Sequence, residues 1–399
     1  MSYFDKPQRL WWRKALFQVH LWAGLILALY VAVIGLSGSI LVFKLELARL
    51  SYPALFGAGG GSSPPTGLDT FMKKAQAAYP DLTLVTAYVP GAYGENAFAY
   101  MSGKQQMLYV FGDPRDGHVI GTIDVGKNWL TWVGELHIRL LGGQTGYVIN
   151  GIGAALLVAL SLTGLVLWWP GVKTWTRALR VKMNGSWKRI NFDLHSAAGF
   201  WLLAIVLLWS VSGMYFVWPK PMERLVNHVS SVATAVAPEV KLQHLPGGPA
   251  DRRTLLEHAQ AAASGSKLLG IYFPDKGAVE VYLARERLDN FSETDRIYLH
   301  PVSAQVLAVW HSGINPTLGS KFLYWLEPLH VGVYWGLGIK ALWALLGLAL
   351  PLLAVTGVLM YWNRSLSRYW QKMHLVSRRR GYQDAAYARK ELSELNNAR

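Results

Sequence analysis

Residues 20–43 read HLWAGLILALYVAVIGLSGSILVF, and residues 195–218 read HSAAGFWLLAIVLLWSVSGMYFVW. Neither stretch holds a Lys, Arg, Asp or Glu. Each is about the length that crosses a hydrocarbon core of roughly 30 Å. They also match each other. His20, Ala23, Gly24, Ser37 and Gly38 recur as His195, Ala198, Gly199, Ser212 and Gly213, at a constant spacing of 175. One reading therefore gives both a membrane span and an internal duplication.

Further apolar runs extend the pattern. The four are Leu21–Phe43, Tyr147–Trp169, Phe200–Trp218 and Ala341–Trp362. His137, Thr163, Gly164 and Trp169 recur as His330, Thr356, Gly357 and Trp362, at a spacing of 193. The first run is too long for a cleavable signal and no small-residue cleavage site follows it. Trp11, Trp12, Trp168, Trp218 and Tyr361 flank the runs as an interfacial belt does.

The chain has 399 residues and a net charge of +15, with 39 Lys plus Arg against 24 Asp plus Glu. That excess would suit a polyanion, yet only 16% of residues are charged and 52% are hydrophobic. Topology explains the charge better. Residues 1–19, 170–193 and 363–399 lie on one side if all four runs span, and they hold 19 basic and 5 acidic residues. Residues 44–146 and 219–340 hold 20 and 19. The positive-inside rule places both termini and the short loop in the cytoplasm, with the basic clusters against anionic lipid. No nucleic-acid partner is expected. The absence of cysteine excludes disulfides, Fe–S clusters, c-type haem attachment, thiolate zinc and a catalytic thiol.

The expected fold is an α-helical membrane protein of two parallel span–domain–span repeats with two small α/β domains outside. In order these are a cytoplasmic N-terminus (1–19), a span (20–43), a first outer domain (44–127), an interfacial segment (128–146) and a span (147–169). A cytoplasmic loop (170–193), a span (194–218), a second outer domain (219–320), an interfacial segment (321–340), a span (341–362) and a basic tail (363–399) follow. In the first outer domain Asp69 or Thr70 can cap a helix bearing Phe71, Met72, Ala75 and Ala78 on one face. Strands are expected at 82–89, 97–101, 107–111 and 119–123, and again at 268–273, 279–283, 297–299 and 306–310. The Gly/Ser/Pro-rich stretch 57–67 reads as a flexible loop.

Eleven His are present, and four fall at duplicated positions by the membrane. Topology sorts them into His20 with His195 inside, and His137 with His330 outside. Zinc needs about three or four protein ligands, and each face offers two. Two imidazoles on opposite sides of a porphyrin fit this inventory. Gly24 and Gly199, one turn beyond His20 and His195, leave room for a flat cofactor. Ser37-Gly38, Ser212-Gly213, Thr163-Gly164 and Thr356-Gly357 offer similar clearance, or close helix packing. Arg13, Lys14, Lys188, Arg189, Arg139 and Lys340 are candidates for propionates. His118, His228, His244, His258 and His300 read as surface residues. His311, in an insert without a first-half counterpart, is a weaker candidate for a substrate site. No dinucleotide motif opens a strand–turn–helix unit, so the electron donor is a partner protein or a membrane quinol.

The stretch Asp193–Gly199, its His20–Gly24 twin and the Thr-Gly-x-x-x-Trp/Tyr-Trp ends of two spans resemble the PepSY-associated transmembrane-helix family. The resemblance covers roughly residues 10–370. Within the family the chain looks most like inner-membrane ferric-siderophore reductases of the FoxB type, close to PiuB-like iron-uptake proteins. That resemblance implies two haem b groups on His20, His195, His137 and His330, a bacterial inner-membrane location, and reduction of a ferric siderophore in the periplasm. The donor would be a membrane quinol or a cytoplasmic reductase. The family's Asp-Pro at the last hairpin is kept at Asp113-Pro114 and becomes His300-Pro301 in the second domain, which suggests a drift toward another task. A non-enzymatic binding module anchored in the membrane and a metal transporter are the alternative readings.

Overall fold

The computed structural model describes residues 10–57, 67–232, 238, 240, 242–288, 293–333 and 335–366. Outside these lie residues 1–9 of the basic N-terminus, 58–66 of the Gly/Ser/Pro-rich loop, and 367–399 of the basic tail with His374. In chain order the described helices are α1 (Trp11–Leu41), α2 (Lys44–Ser51), α3 (Pro53–Phe56), α4 (Leu68–Ala78), α5 (Trp129–Arg139) and α6 (Gly143–Trp168). They continue with α7 (Trp175–Ala178), α8 (Trp187–Val217), α9 (Pro219–Asn227), α10 (Arg252–Ala262), α11 (Leu318–Val331) and α12 (Gly336–Tyr361). The strands are β1 (Thr83–Tyr88), β2 (Ala97–Ser102), β3 (Met107–Gly112), β4 (Val119–Asp124), β5 (Lys267–Tyr272), β6 (Val279–Ala284), β7 (Thr294–Leu299) and β8 (Val306–His311).

Helices α1, α6, α8 and α12 are long and apolar enough to cross a membrane. Ile26, Leu29, Trp201, Leu345 and Leu352 stand exposed on them, an apolar surface suited to lipid rather than water. Helix α1 starts ten residues before its apolar run, and α8 thirteen. Hydropathy reads the thickness of hydrocarbon, whereas the backbone hydrogen-bond ladder can continue into water. The 31 residues of α1 rise about 46 Å, well beyond a core of roughly 30 Å.

The chain divides into two compact units. One comprises Met1–Leu36, Ala155–Leu207 and Leu346–Arg399, and has no strand among its described residues. The other comprises Ser37–Ala154 and Leu208–Leu345 and contains all eight strands.

The strands form a single sheet in the order β4-β3-β2-β1-β5-β6-β7-β8, and every pairing is antiparallel. The two outer segments of the sequence therefore share one sheet, joined where Ala87 of β1 faces Ile271 of β5. Gly270 permits that seam: a Cβ there would stand 2.4 Å from the Tyr88 ring. One sheet face carries the core, where α4 and α10 cover Ala99, Met101, Val110, Ile271, Val281 and Ile297. On the other face a row of large side chains crosses the seam in register, through Phe111, Phe98, Tyr88, Tyr282, Arg296 and Trp310. Tyr88 and Tyr282 stack across it with ring centres 6.4 Å apart.

Helix α4 begins at Leu68 behind Gly67, with no side-chain cap. Asp69 and Thr70 thus lie inside its first turn, where the Asp69 carboxylate favours the positive end of the helix dipole. Helix α10 does have a side-chain cap, since Asp251 accepts from the Arg253 amide at 3.1 Å.

Candidate functional site

The four duplicated His each meet a hydroxyl residue from another helix. In the strand-free unit, His20 of α1 lies with Nδ1 3.0 Å from Thr163 Oγ1 of α6. His195 of α8 lies with Nδ1 3.0 Å from Thr356 Oγ1 of α12. In the sheet-bearing unit, His137 of α5 lies with Nδ1 3.0 Å from Ser37 Oγ. His330 of α11 lies with Nδ1 2.6 Å from Ser212 Oγ of α8.

The hydroxyls fix the tautomer. Thr163 donates its only proton to the Leu160 carbonyl at 2.9 Å, Thr356 to Leu353 at 2.9 Å, and Ser212 to Leu208 at 2.7 Å. Each oxygen must then accept from the imidazole, so Nδ1 carries the proton. His195 Nδ1 also lies 3.1 Å from the Leu353 carbonyl, which can only accept. The Nε2 lone pair is left for a metal. An Nδ1–H hydrogen bond of this kind orients a ligating imidazole and raises its basicity.

The glycines beside these hydroxyls make room for the same rings. A Cβ on Gly38 would stand 2.9 Å from His137 Cε1. On Gly164 it would stand 3.1 Å from His20 Cε1, and on Gly357 3.1 Å from His195 Cε1. Gly213 differs, because its Cβ would meet the Ala154 methyl at an ordinary 3.4 Å. Clearance at Gly38, Gly164 and Gly357 is thus first of all space for imidazole, whereas a Cβ on Gly24 would meet only Leu160 at 3.8 Å and one on Gly199 would meet nothing within 4 Å.

The His137 and His330 rings have centres 6.3 Å apart and planes at 66°. Their helices are capped in matching ways. Asn150 of α6 donates to the His137 carbonyl at 2.9 Å and the Ile138 carbonyl at 3.0 Å. Trp343 of α12, at the equivalent position, donates to the Leu329 carbonyl at 2.8 Å. These bonds satisfy carbonyls that a helix end leaves open, and they hold α5 and α11 beside the spans that follow. The turn after α5 is tight. Leu140 and Leu141 take φ of 50° and 58°, and a Cβ on Gly146 would stand 1.7 Å from the Arg139 carbonyl oxygen. Burial, and then the charge of His137, lower the His330 pKa to about 3. His330 is therefore a neutral imidazole.

The basic residues expected to meet propionates are mostly committed elsewhere. Arg13 donates to the carbonyls of Val166, Leu167 and Trp169 at the end of α6. Arg189 pairs with Asp193 at 2.9 Å, Arg139 with Glu135 at 3.5 Å, and Lys340 with Glu46 at 2.6 Å. Lys14 and Lys188 are exposed.

His311 is held by a carboxylate rather than a hydroxyl. Its Nδ1 lies 2.8 Å from Oδ1 of buried Asp295, which Arg285 also reaches at 2.8 Å and Ser266 at 2.6 Å through Oδ2. His300, read as a surface residue, is buried. Its Nε2 donates to the Gln243 carbonyl at 2.8 Å, and its Nδ1 accepts from the Val302 and Ser303 amides. Asp113 accepts from the Arg115 amide at the equivalent hairpin. His300-Pro301 therefore holds its turn as Asp113-Pro114 does.

Among the described residues no group of three or more His, Asp or Glu is arranged around a common metal position. The model of the PepSY-associated TM region matches residues 17–364. No curated protein matches the chain. With its four membrane-spanning helices, duplicated His sites and paired α/β segments, the chain belongs to the family defined by the PepSY-associated TM region.

Proposed function

We propose that this protein is a di-haem b electron-transfer protein of the bacterial inner membrane that reduces ferric siderophores in the periplasm. The observation that carries the reading is the set of four duplicated imidazoles, each held at Nδ1 by a hydroxyl with Nε2 left for iron. The residues fit the group. The His137 and His330 rings stand with centres 6.3 Å apart, near enough that both imidazoles could hold one haem iron.

His20 with His195 would hold one haem, and His137 with His330 the other. Haem bound there supplies one-electron redox chemistry without a flavin or nicotinamide. The protein's own part is positional. Thr163, Thr356 and Ser212 hold Nδ1 protons, Ser37 bonds His137 at Nδ1, Gly38, Gly164 and Gly357 admit the rings, and the caps by Asn150 and Trp343 fix α5 and α11. Burial keeps His330 neutral and its lone pair available. The excess of Lys and Arg in residues 1–19, 170–193 and 363–399 supports cytoplasmic termini. A membrane quinol or a cytoplasmic reductase is then the donor and the ferric siderophore the acceptor. Siderophores hold Fe(III) by hard oxygen ligands that Fe(II) binds less well, so one electron releases the metal with the chelator intact.

The test is anaerobic reduction of the purified protein with dithionite, followed by mixing with ferric siderophores. Reoxidation of the Soret band together with trapping of ferrous iron is expected. If no ferric chelate reoxidises the protein, the substrate reading fails.

A further inference from the structure

We propose that four short helices outside the spans, α2, α5, α9 and α11, lie in the phospholipid headgroup layer on the side of the membrane that carries the sheet. The partner is the bilayer surface itself. The seating is independent of any cofactor.

Each helix is pinned at the membrane boundary by one end. Helices α2 and α9 begin at Lys44 and Pro219, directly after the apolar runs that end at Phe43 and Trp218. Helices α5 and α11 are pinned at their C-terminal ends. Asn150 and Trp343 lie inside the apolar runs that follow, and they donate to the carbonyls of His137 and Ile138 and of Leu329. The far ends are joined in pairs. Trp129 Nε1, at the start of α5, donates to Ser51 Oγ at the end of α2 at 3.3 Å. The Gly319 amide, at the start of α11, donates to Ser230 Oγ just beyond α9 at 2.9 Å. The 11 residues of α5 rise about 16 Å, against a headgroup layer of roughly 5–8 Å per side. Upright, α5 would lift Trp129 into water; along the surface, Trp129 and Trp132 both stay in the layer.

What these helices expose suits that layer. On α5, Leu130 and Val133 are buried while Trp129 and Trp132 are 43% and 55% exposed. On α11, Leu323 and Leu326 are buried while Phe322 and Trp325 are 46% and 43% exposed. The exposed pairs correspond at the spacing of 193 that relates the two halves. A helix apolar on both sides packs one against protein and offers the other to lipid, and indole favours the boundary. Helices α2 and α9 add a charge to the match. Arg49-Leu50 recurs as Arg224-Leu225 at the spacing of 175, and all four residues are exposed. A guanidinium beside an exposed leucine matches a lipid phosphate above acyl chains. The halves diverge inside the sheet, as Leu108 and Asp295 do, yet both keep these outward residues apolar. Because α5 and α11 carry His137 and His330, the seating also sets the depth of that pair.

The chain has no cysteine, so one introduced cysteine takes one spin label. Leu50→Cys, Trp132→Cys, Leu225→Cys and Trp325→Cys are labelled in the full-length protein in phospholipid nanodiscs. Gln105→Cys, on the exposed β2–β3 turn, is the water-facing reference. Collisions of each label with oxygen, which concentrates in lipid, are compared with collisions with a nickel chelate, which stays in water. The oxygen-to-nickel ratio is expected to exceed that at Gln105 by about threefold or more at all four sites. A variant that fails to fold is read at its counterpart in the other repeat, Leu50 with Leu225 and Trp132 with Trp325. Ratios matching Gln105 at either pair of counterparts overturn the proposal. Labels shielded from both reagents would place a protein surface there, a second copy or another partner, and overturn it as well.

Discussion

In the first half of the chain Thr163 holds His20 and Ser37 holds His137; in the second, Thr356 holds His195 and Ser212 holds His330. The sheet is where the halves part. Where the first has Leu108, Tyr109, Gly103 and Gly134, the second has Asp295, Arg296, Arg285 and Glu327. Leu108 and Asp295 are both buried. One repeat therefore fills a core position with a methyl-bearing side chain, and the other fills it with a carboxylate that needs Arg285, Ser266 and His311 to satisfy it. Buried ion pairs seldom add stability over well-packed apolar residues. The difference teaches that the His clamps are the shared framework, and that the second repeat keeps a buried, hydrogen-bonded carboxylate where the first packs an apolar side chain.

The largest expected effect falls on the shared framework. His137→Ala or His330→Ala should each remove the haem assigned to that pair, about half of the total, by pyridine haemochrome assay. His20→Ala or His195→Ala should remove the other half. Full haem content in all four variants would break the assignment.

Next comes the buried carboxylate. Asp295→Ala leaves Arg285 without its carboxylate and should cost about 3 kcal/mol in the unfolding of the sheet-bearing unit, read by denaturant titration in detergent. The double variant Asp295→Leu with Arg285→Gly, which copies the first repeat, should recover most of that loss. Burial raises the Asp295 pKa, but the hydrogen bonds from Ser266, His311 and Arg285 outweigh it and hold the carboxyl below its ordinary value. Its contribution is then complete above pH of about 3.9 and fades as pH falls through the lowered folded value. Leu108 contributes no such pH dependence.

The glycines should show a smaller contrast. Gly38→Ala drives a methyl toward His137 Cε1 and should cost roughly 1–3 kcal/mol, with a changed haem spectrum. Gly213→Ala should be tolerated, because its methyl meets only Ala154 at ordinary distance. Equal effects at the two sites would show that the clearance is unrelated to the ring. Smallest is Thr356→Val, which removes one hydroxyl partner of His195 while the Leu353 carbonyl remains. About 1 kcal/mol of haem affinity should be lost. Thr163→Val, which removes the hydroxyl beside His20, should lose a similar amount.

Much of this framework was legible in the sequence, because hydropathy and fixed spacings are one-dimensional signals. The spans, the duplication, seven of the eight strands to within about a residue or two at each end, and the four His all follow from them; β7 starts three residues earlier than expected, at Thr294. The β1–β5 seam was not legible, since pairing between residues 87 and 271 leaves no local trace. The hydroxyl–glycine pairs were visible, but their partner was not. Nothing in Thr163-Gly164 alone says that His20 packs on it. The caps by Asn150 and Trp343 escaped for the same reason, as two unlike residues doing one job. Arg13, Arg189 and Lys340 were visible as charges, and only tertiary structure shows which carbonyls and carboxylates claim them.

The proposed function depends on the four clamped imidazoles holding two haems. Its most direct test is the absorption spectrum of the purified full-length protein with a pyridine haemochrome count. Two haem b per chain and a Soret band that shifts on dithionite reduction are predicted. A colourless protein, purified folded from haem-sufficient cells, would contradict the account.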